Sequence, residues 1–183
     1  MKSTLKSDQH EFLPRADAIL NSQFPGDGMT NSFMRRAIEL SIENVEKRNG
    51  GPFGAVVVKD NRILAEGVNS VVDHNDPTAH AEIVALREAC RKLRSFQLTG
   101  CEIYSSCEPC PMCLAALYWA RPARIFYAGT RNDAAEIGFD DTYIYAQLML
   151  PVEHRAIPMK QLMRDQAQEA YLRWKAKPDK KLY

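Results

Sequence analysis

Ala55-Val56-Val57-Val58, then Asp60-Asn61, then Ile63-Leu64-Ala65-Glu66-Gly67-Val68 is the stretch on which the fold turns. Four apolar, largely β-branched residues in a row read as a strand, and Asp60-Asn61 reads as a tight turn into a second strand over 63–68. Upstream, Phe33, Met34, Ala37, Ile38, Ser41, Ile42 and Val45 recur at helical spacing, with Thr30 or Asn31 as cap and Asn49-Gly50-Gly51 as stop. Downstream, a turn-rich segment from Asp73 to Thr78 leads into a helix whose apolar face is Ile83, Leu86, Cys90 and Leu93. A third strand is expected over 102–105, a helix from near Pro109 to Ala120 and a fourth strand over 124–128. After a short helical turn at 134–137, a fifth strand is expected over 157–159 and a last helix over 166–177, with Ala167, Ala170, Tyr171 and Trp174 on one side. Strands alternating with helices predict a three-layer α/β/α sandwich around a central mixed five-stranded sheet.

Composition bounds what such a domain can do. A chain of 183 residues suits one domain over 29–183, preceded by a polar extension, residues 1–28, in which Pro14 can open a short helix. With 24 Lys plus Arg against 23 Asp plus Glu there is no global basic field, so neither nucleic acid nor a membrane surface is expected as a partner. Met1 to His10 lacks the apolar core of a signal peptide, and no stretch is apolar for long enough to span a bilayer. The five cysteines, Cys90, Cys101, Cys107, Cys110 and Cys113, crowd into one region instead of spreading as a disulfide scaffold would. Reduced thiols in a cytoplasmic protein, some of them holding metal, fit that pattern.

The residues that carry chemistry are His80-Ala81-Glu82 and Pro109-Cys110-Pro111-Met112-Cys113. Cys110 and Cys113, at i and i+3, fall on one face of a helix's first turn, where the helix dipole favours thiolate over thiol. With His80 they make three zinc ligands, and a tetrahedral site with three protein ligands keeps one position for water. Glu82 stands two residues from a ligand, placed to take a proton from that water and pass it on. If the two intervening strands are parallel neighbours, both helix starts emerge at one sheet edge. Two rival readings use Cys107 as well. One is a closed Cys3His structural zinc; the other is three sulfurs of an iron–sulfur cluster. Neither uses Glu82.

His80-Ala81-Glu82 with Pro109-Cys110-x-x-Cys113 resembles the H-x-E…P-C-x-x-C signature of the cytidine deaminase-like superfamily. Within it, Gly50-Gly51-Pro52-Phe53-Gly54-Ala55-Val56, Asn75 to Glu82, Ser106 to Cys113 and Ile137-Gly138-Phe139-Asp140-Asp141 are similar to the bacterial guanine deaminases, from about Phe33 to Tyr183. The resemblance implies Zn2+ as cofactor, held by His80, Cys110 and Cys113. It implies hydrolysis of guanine to xanthine and ammonia with Glu82 as proton shuttle. The backbone N–H of Cys110 is then placed to stabilise the attacking oxygen.

The base needs its own recognition. Phe53 offers a ring for stacking or simply fills the core, and Asn69 either reads a purine edge or makes a turn. Asp141 matches a family aspartate that contacts the base, and an ionised carboxylate accepts from the N–H groups along guanine's Watson–Crick side. Phe139 and Ala81 fall within the matched motifs and are carried over as substrate contacts. Trp119 either walls the pocket or lies in the core. Tyr183 matches a C-terminal tyrosine that the family brings into the active site. In bacterial members the C-terminal segment, here about 165–183, comes from the partner subunit, so a domain-swapped homodimer is implied. A guanosine deaminase, a tRNA adenosine deaminase and a non-catalytic zinc module are the other functions the motifs allow.

Overall fold

Alternate residues of the first strand point into two different cores. Ala55 and Val57 join Ala65, Ala81, Ala85, Ala89, Ile103, Leu117 and their neighbours on one face of the sheet. Val56 and Val58 join Ala37, Leu40 and Tyr104 on the other. Burial on both faces is why the run is continuously apolar and not alternating. The structure, a computed structural model, describes residues 27–48 and 50–182. The expected helix near Pro14 lies outside them.

In chain order the elements are α1 (Asp27–Arg48), β1 (Gly54–Lys59), β2 (Arg62–Val68), α2 (Val71–His74), α3 (Ala81–Leu93), β3 (Glu102–Cys107), α4 (Pro111–Ala120), β4 (Arg124–Gly129), α5 (Arg131–Glu136), α6 (Thr142–Met149), a 3-10 turn (Val152–His154) and α7 (Arg164–Ala176). The sheet order is β2-β1-β3-β4. β1 is antiparallel to β2 and to β3, and β3 is parallel to β4, so the sheet is mixed. Helix α1 covers one face, and α3 and α4 cover the other. The three-layer sandwich is the architecture observed.

Local chemistry explains the joints. Asp60 and Asn61 both take positive φ, 49° and 57°, the backbone of the two-residue turn that matches strand twist. Gly67 lets α3 settle onto β2, since a Cβ there would run into the carbonyl oxygen of Ala81 and lie 2.5 Å from the backbone nitrogen of Ala85. Gly54 does the same for α1, where a Cβ would meet Leu40 Cβ at 2.8 Å. Thr130 and Asp133 form a reciprocal capping box that starts α5.

Several expectations need correction. The sheet has four strands among the described residues, and residues 157–159 form no fifth. Ile157 and Met159 are both exposed, and Pro158 has no N–H to give a ladder. Helix α1 begins at Asp27, a turn before the expected caps, and its inner face is rotated. Ala37, Leu40, Ser41 and Asn44 are buried, whereas Ile42 and Val45 are exposed. Helix α6 was not anticipated. β2 and β3, which feed α3 and α4, are parallel but not neighbours: β1 lies between them, antiparallel to each. Their carboxyl ends still share one sheet edge.

Candidate metal centre and active site

The site is built where two helices begin. His80 is the N-cap residue of α3 and Cys110 that of α4, both in extended backbone, and neither side chain makes a capping hydrogen bond. Both are therefore available as ligands. The turn before His80 is fixed by Asp76, whose Oδ1 accepts from the Thr78 N–H at 2.8 Å and the Thr78 hydroxyl at 2.7 Å. Pro111 occupies the first turn of α4, where a missing N–H leaves no gap in the helix.

His80 Nδ1 lies 3.5 Å from the sulfur of Cys110 and 3.6 Å from that of Cys113. All three ligand atoms fall within 4.8 Å of one another. Zinc bonds of about 2.3 Å to sulfur and about 2.0 Å to nitrogen, at a tetrahedral angle, put N and S about 3.5 Å apart. The observed edges have that length, so the three residues fit zinc and leave a fourth corner for a non-protein ligand. The sulfurs titrate as a pair. A hydrogen bond with Cys113 and the neighbouring His80 hold Cys110 well below the usual thiol range, while that same hydrogen bond and burial push Cys113 up. A dication offsets the cost of the second thiolate.

Cys107 stands apart from this group. Its sulfur lies 3.6 Å from the Thr130 carbonyl oxygen, and burial, then the charge of Glu82, push its thiol up to about 11. Neither the closed Cys3His site nor a three-sulfur cluster site is assembled among the described residues. Glu82 is 7% exposed, with Oε2 3.6 Å from the Cys113 sulfur. Burial raises its carboxyl above the usual range, making its ionised form a better proton acceptor.

A second cluster gathers around Gly51. A Cβ on Gly51 would stand 3.2 Å from the Phe53 ring, 3.4 Å from the Asn69 side-chain amide and 3.4 Å from the Phe139 ring. The two rings meet edge to face, 4.9 Å apart at 88°. Phe53 also packs against the core. Asn69 is buried; its Oδ1 accepts from the Val71 N–H at 3.4 Å, which leaves its amide N–H groups to donate elsewhere. Ala81, the first residue of α3, is buried.

Asp141 is the N-cap residue of α6 yet makes no capping bond, because Asp140 takes that role by accepting from the Thr142 N–H at 2.9 Å. Its carboxyl is pushed up by burial and then by the charge on Cys110, which puts it within electrostatic reach of the metal ligands. Trp119 is 63% exposed and sits near the C-terminal end of α4, roughly 13 Å along the axis from Cys110. It lies neither in the core nor at the ligand end of that helix. Tyr183 falls outside the described residues.

The sequence did not pair three residues that the structure brings together. The Arg131 N–H donates to Glu108 Oε2 at 3.2 Å, and the Arg131 guanidinium lies 5.0 Å over the Tyr145 ring. This ties the start of α5 to the loop before Cys110 and to α6, which carries Asp141. Glu108 was visible inside the cysteine motif; Arg131 and Tyr145 carry no periodic signal that pairs them.

The geometry sets an expectation for metal content. Cys107→Ser retains one zinc per chain, whereas Cys110→Ser loses most of it, as measured by metal analysis after dialysis against a weak chelator. Zinc lost from Cys107→Ser contradicts the three-ligand assignment.

Known proteins share these features. Residues 29–129 match the cytidine and deoxycytidylate deaminase zinc-binding region. Guanine deaminase from Bacillus subtilis (strain 168) is 51% identical over 152 residues, covering 83% of this chain and 97% of that protein. The X-ray structure of guanine deaminase from Bacillus subtilis superposes with a TM-score of 0.81 at 50% identity, covering 84% of this chain and 98% of that one. The tRNA-specific adenosine deaminase of Aquifex aeolicus (strain VF5) is 46% identical over 77 residues, 42% of this chain and 51% of that protein. With both ligand-bearing helix starts inside the matched region, the chain belongs to the cytidine and deoxycytidylate deaminase family of zinc-dependent enzymes.

Proposed function

We propose that the protein hydrolyses guanine to xanthine and ammonia. The observation that carries the choice of base is Asp141, a carboxylate that makes no capping bond and lies within electrostatic reach of Cys110. Guanine presents N–H donors at N1 and at its 2-amino group, and an acceptor-only carboxylate pairs with them where adenine and cytosine present different edges. Asn69 supplies amide donors across the pocket, and Phe53 with Phe139 gives the flat base an aromatic wall. Similarity to a guanine deaminase along nearly its whole length supports the same base. The similar tRNA-specific adenosine deaminase is matched over only half its length.

His80, Cys110 and Cys113 would hold Zn2+, which supplies a Lewis acid and a water acidic enough to react at neutral pH. Glu82 accepts the proton of the attacking water as oxygen adds to carbon 2 of the base. It passes that proton to ring nitrogen 3. It then takes the proton of the new 2-hydroxyl group and gives it to the amino group as the C2–N bond breaks and the C2 carbonyl forms, so that guanine and water become xanthine and ammonia. The first N–H groups of α4, which no helical carbonyl satisfies, face the edge where the oxyanion forms. Burial keeps bulk water from competing for the Glu82 proton.

The working unit in this reading is a homodimer that exchanges the segment about 165–183, with Tyr183 completing the partner's pocket. Helix α7 supports it. No residue of this 13-residue helix is buried, and Tyr171, Leu172 and Trp174 are exposed. A helix that short is marginal in water without packing. Ile144 and Leu148 of α6 are exposed too. A cytoplasmic setting fits the five free cysteines. Among the described residues no helix is long and apolar enough to cross a membrane.

Four experiments test this reading. Purified zinc-loaded protein assayed for ammonia release against guanine, guanosine, adenine, cytosine, cytidine and a tRNA anticodon stem-loop turns over guanine fastest. Glu82→Gln keeps its zinc and loses at least about a thousandfold in kcat. Release from another substrate but not guanine overturns the choice of base, and an active Glu82→Gln overturns the mechanism. Light scattering gives a mass near twice 20.7 kDa. Truncation after Met163 yields a monomer with raised KM or lowered turnover; a fully active monomer removes the exchange.

A further inference from the structure

We propose that Asn44 is a positioning residue that sets the spacing between the two sides of the base pocket. It does so through the backbone of Gly51 and Asn69. The proposal rests on the reading of Asn69 and Phe53 as base contacts.

Asn44 lies on the inner face of α1 and is 1% exposed. Its Nδ2 donates to the Gly51 carbonyl oxygen at 2.9 Å and to the Asn69 carbonyl oxygen at 2.9 Å. Both partners only accept, so the amide has one possible orientation and both of its N–H bonds are engaged. Its Oδ1 is buried and, among the described residues, accepts from nothing. An apolar side chain would spare that acceptor but would also take the Nδ2 donors away from the Gly51 and Asn69 carbonyl oxygens. The amide in that position calls for an explanation in what it holds.

The hydrogen bonds supply one. The Phe53 N–H donates to the Gly51 carbonyl at 2.8 Å, and the Asn69 N–H donates to the Phe53 carbonyl at 3.1 Å. With the two bonds from Asn44 this closes a ring: Asn44, Gly51, Phe53, Asn69 and back to Asn44. Phe53 and Asn69 are thus bonded backbone to backbone, and the Asn44 side chain holds Asn69 directly and Phe53 through the shared Gly51 carbonyl. The adjoining glycines leave room for it. A Cβ on Gly50 would collide with the Asn44 amide nitrogen and stand 2.7 Å from the Asn69 carbonyl oxygen. Gly50-Gly51 is therefore more than a helix stop: it lets a helix side chain reach the pocket's backbone.

A double-mutant cycle separates positioning from simple stapling. Guanine kinetics are measured on zinc-replete wild type, Asn44→Ala, Asn69→Ala and the double variant, each well below its melting temperature. Asn44→Ala raises KM about tenfold with a smaller change in kcat, and the double variant is no worse than Asn69→Ala. Multiplying effects, or a lowered melting temperature with unchanged kinetics, overturn the proposal. If Asn44→Ala does not fold, Gly50→Ala, which crowds the same amide, shows the same rise in KM; an unchanged KM there overturns it as well. Should wild type act on a different base, the choice of guanine fails and the same cycle, run on that base, still decides the role of Asn44. If no base is turned over, both readings fail together.

Discussion

Two helices must begin at the same edge of one sheet, and every part of the site depends on that constraint. β1 runs antiparallel to both β2 and β3, so the carboxyl ends of β2 and β3 point the same way. The helices that follow them, α3 and α4, open side by side with His80 and Cys110 as their first boundary residues. A helix start is where the backbone offers unpaired N–H groups and a positive potential. Thiolates and a developing oxyanion are what such a place stabilises. Chemistry and topology are therefore one fact here: reversing either strand would carry its ligand to the far edge.

Close packing turns that topology into distances. Gly67 brings α3 against β2, and Gly54 brings α1 against β1. The resulting separations between His80 Nδ1 and the two sulfurs are already those of a zinc tetrahedron. Glu82, one residue into α3, is buried in the same packed layer. Its raised proton affinity is a consequence of the packing.

Much of this was legible in the chain. The ligand triad and Glu82 were visible because metal ligands, unlike core residues, are constrained in type and spacing together. The hairpin at Asp60-Asn61 was visible because few residues tolerate positive φ. What escaped had no local signature. Hydrophobic periodicity on α1 pointed to Ile42 and Val45, yet the buried stripe includes Asn44, a polar residue that periodicity counts as outward. Residues 157–159 looked like a strand by composition, but Pro158 and two exposed neighbours make no ladder. Trp119 suggested core by its size and is exposed. Asp141 was found by resemblance; its freedom became physical only when Asp140 proved to be the residue that caps α6.

The chemistry turns on an open site of three protein ligands, with Cys107 outside it. X-ray absorption at the zinc edge of the loaded protein tests it directly. Two sulfurs at about 2.3 Å and two light atoms, one from imidazole and one exchangeable, at about 2.0 Å are expected. Three sulfurs and one nitrogen in the first shell would contradict it.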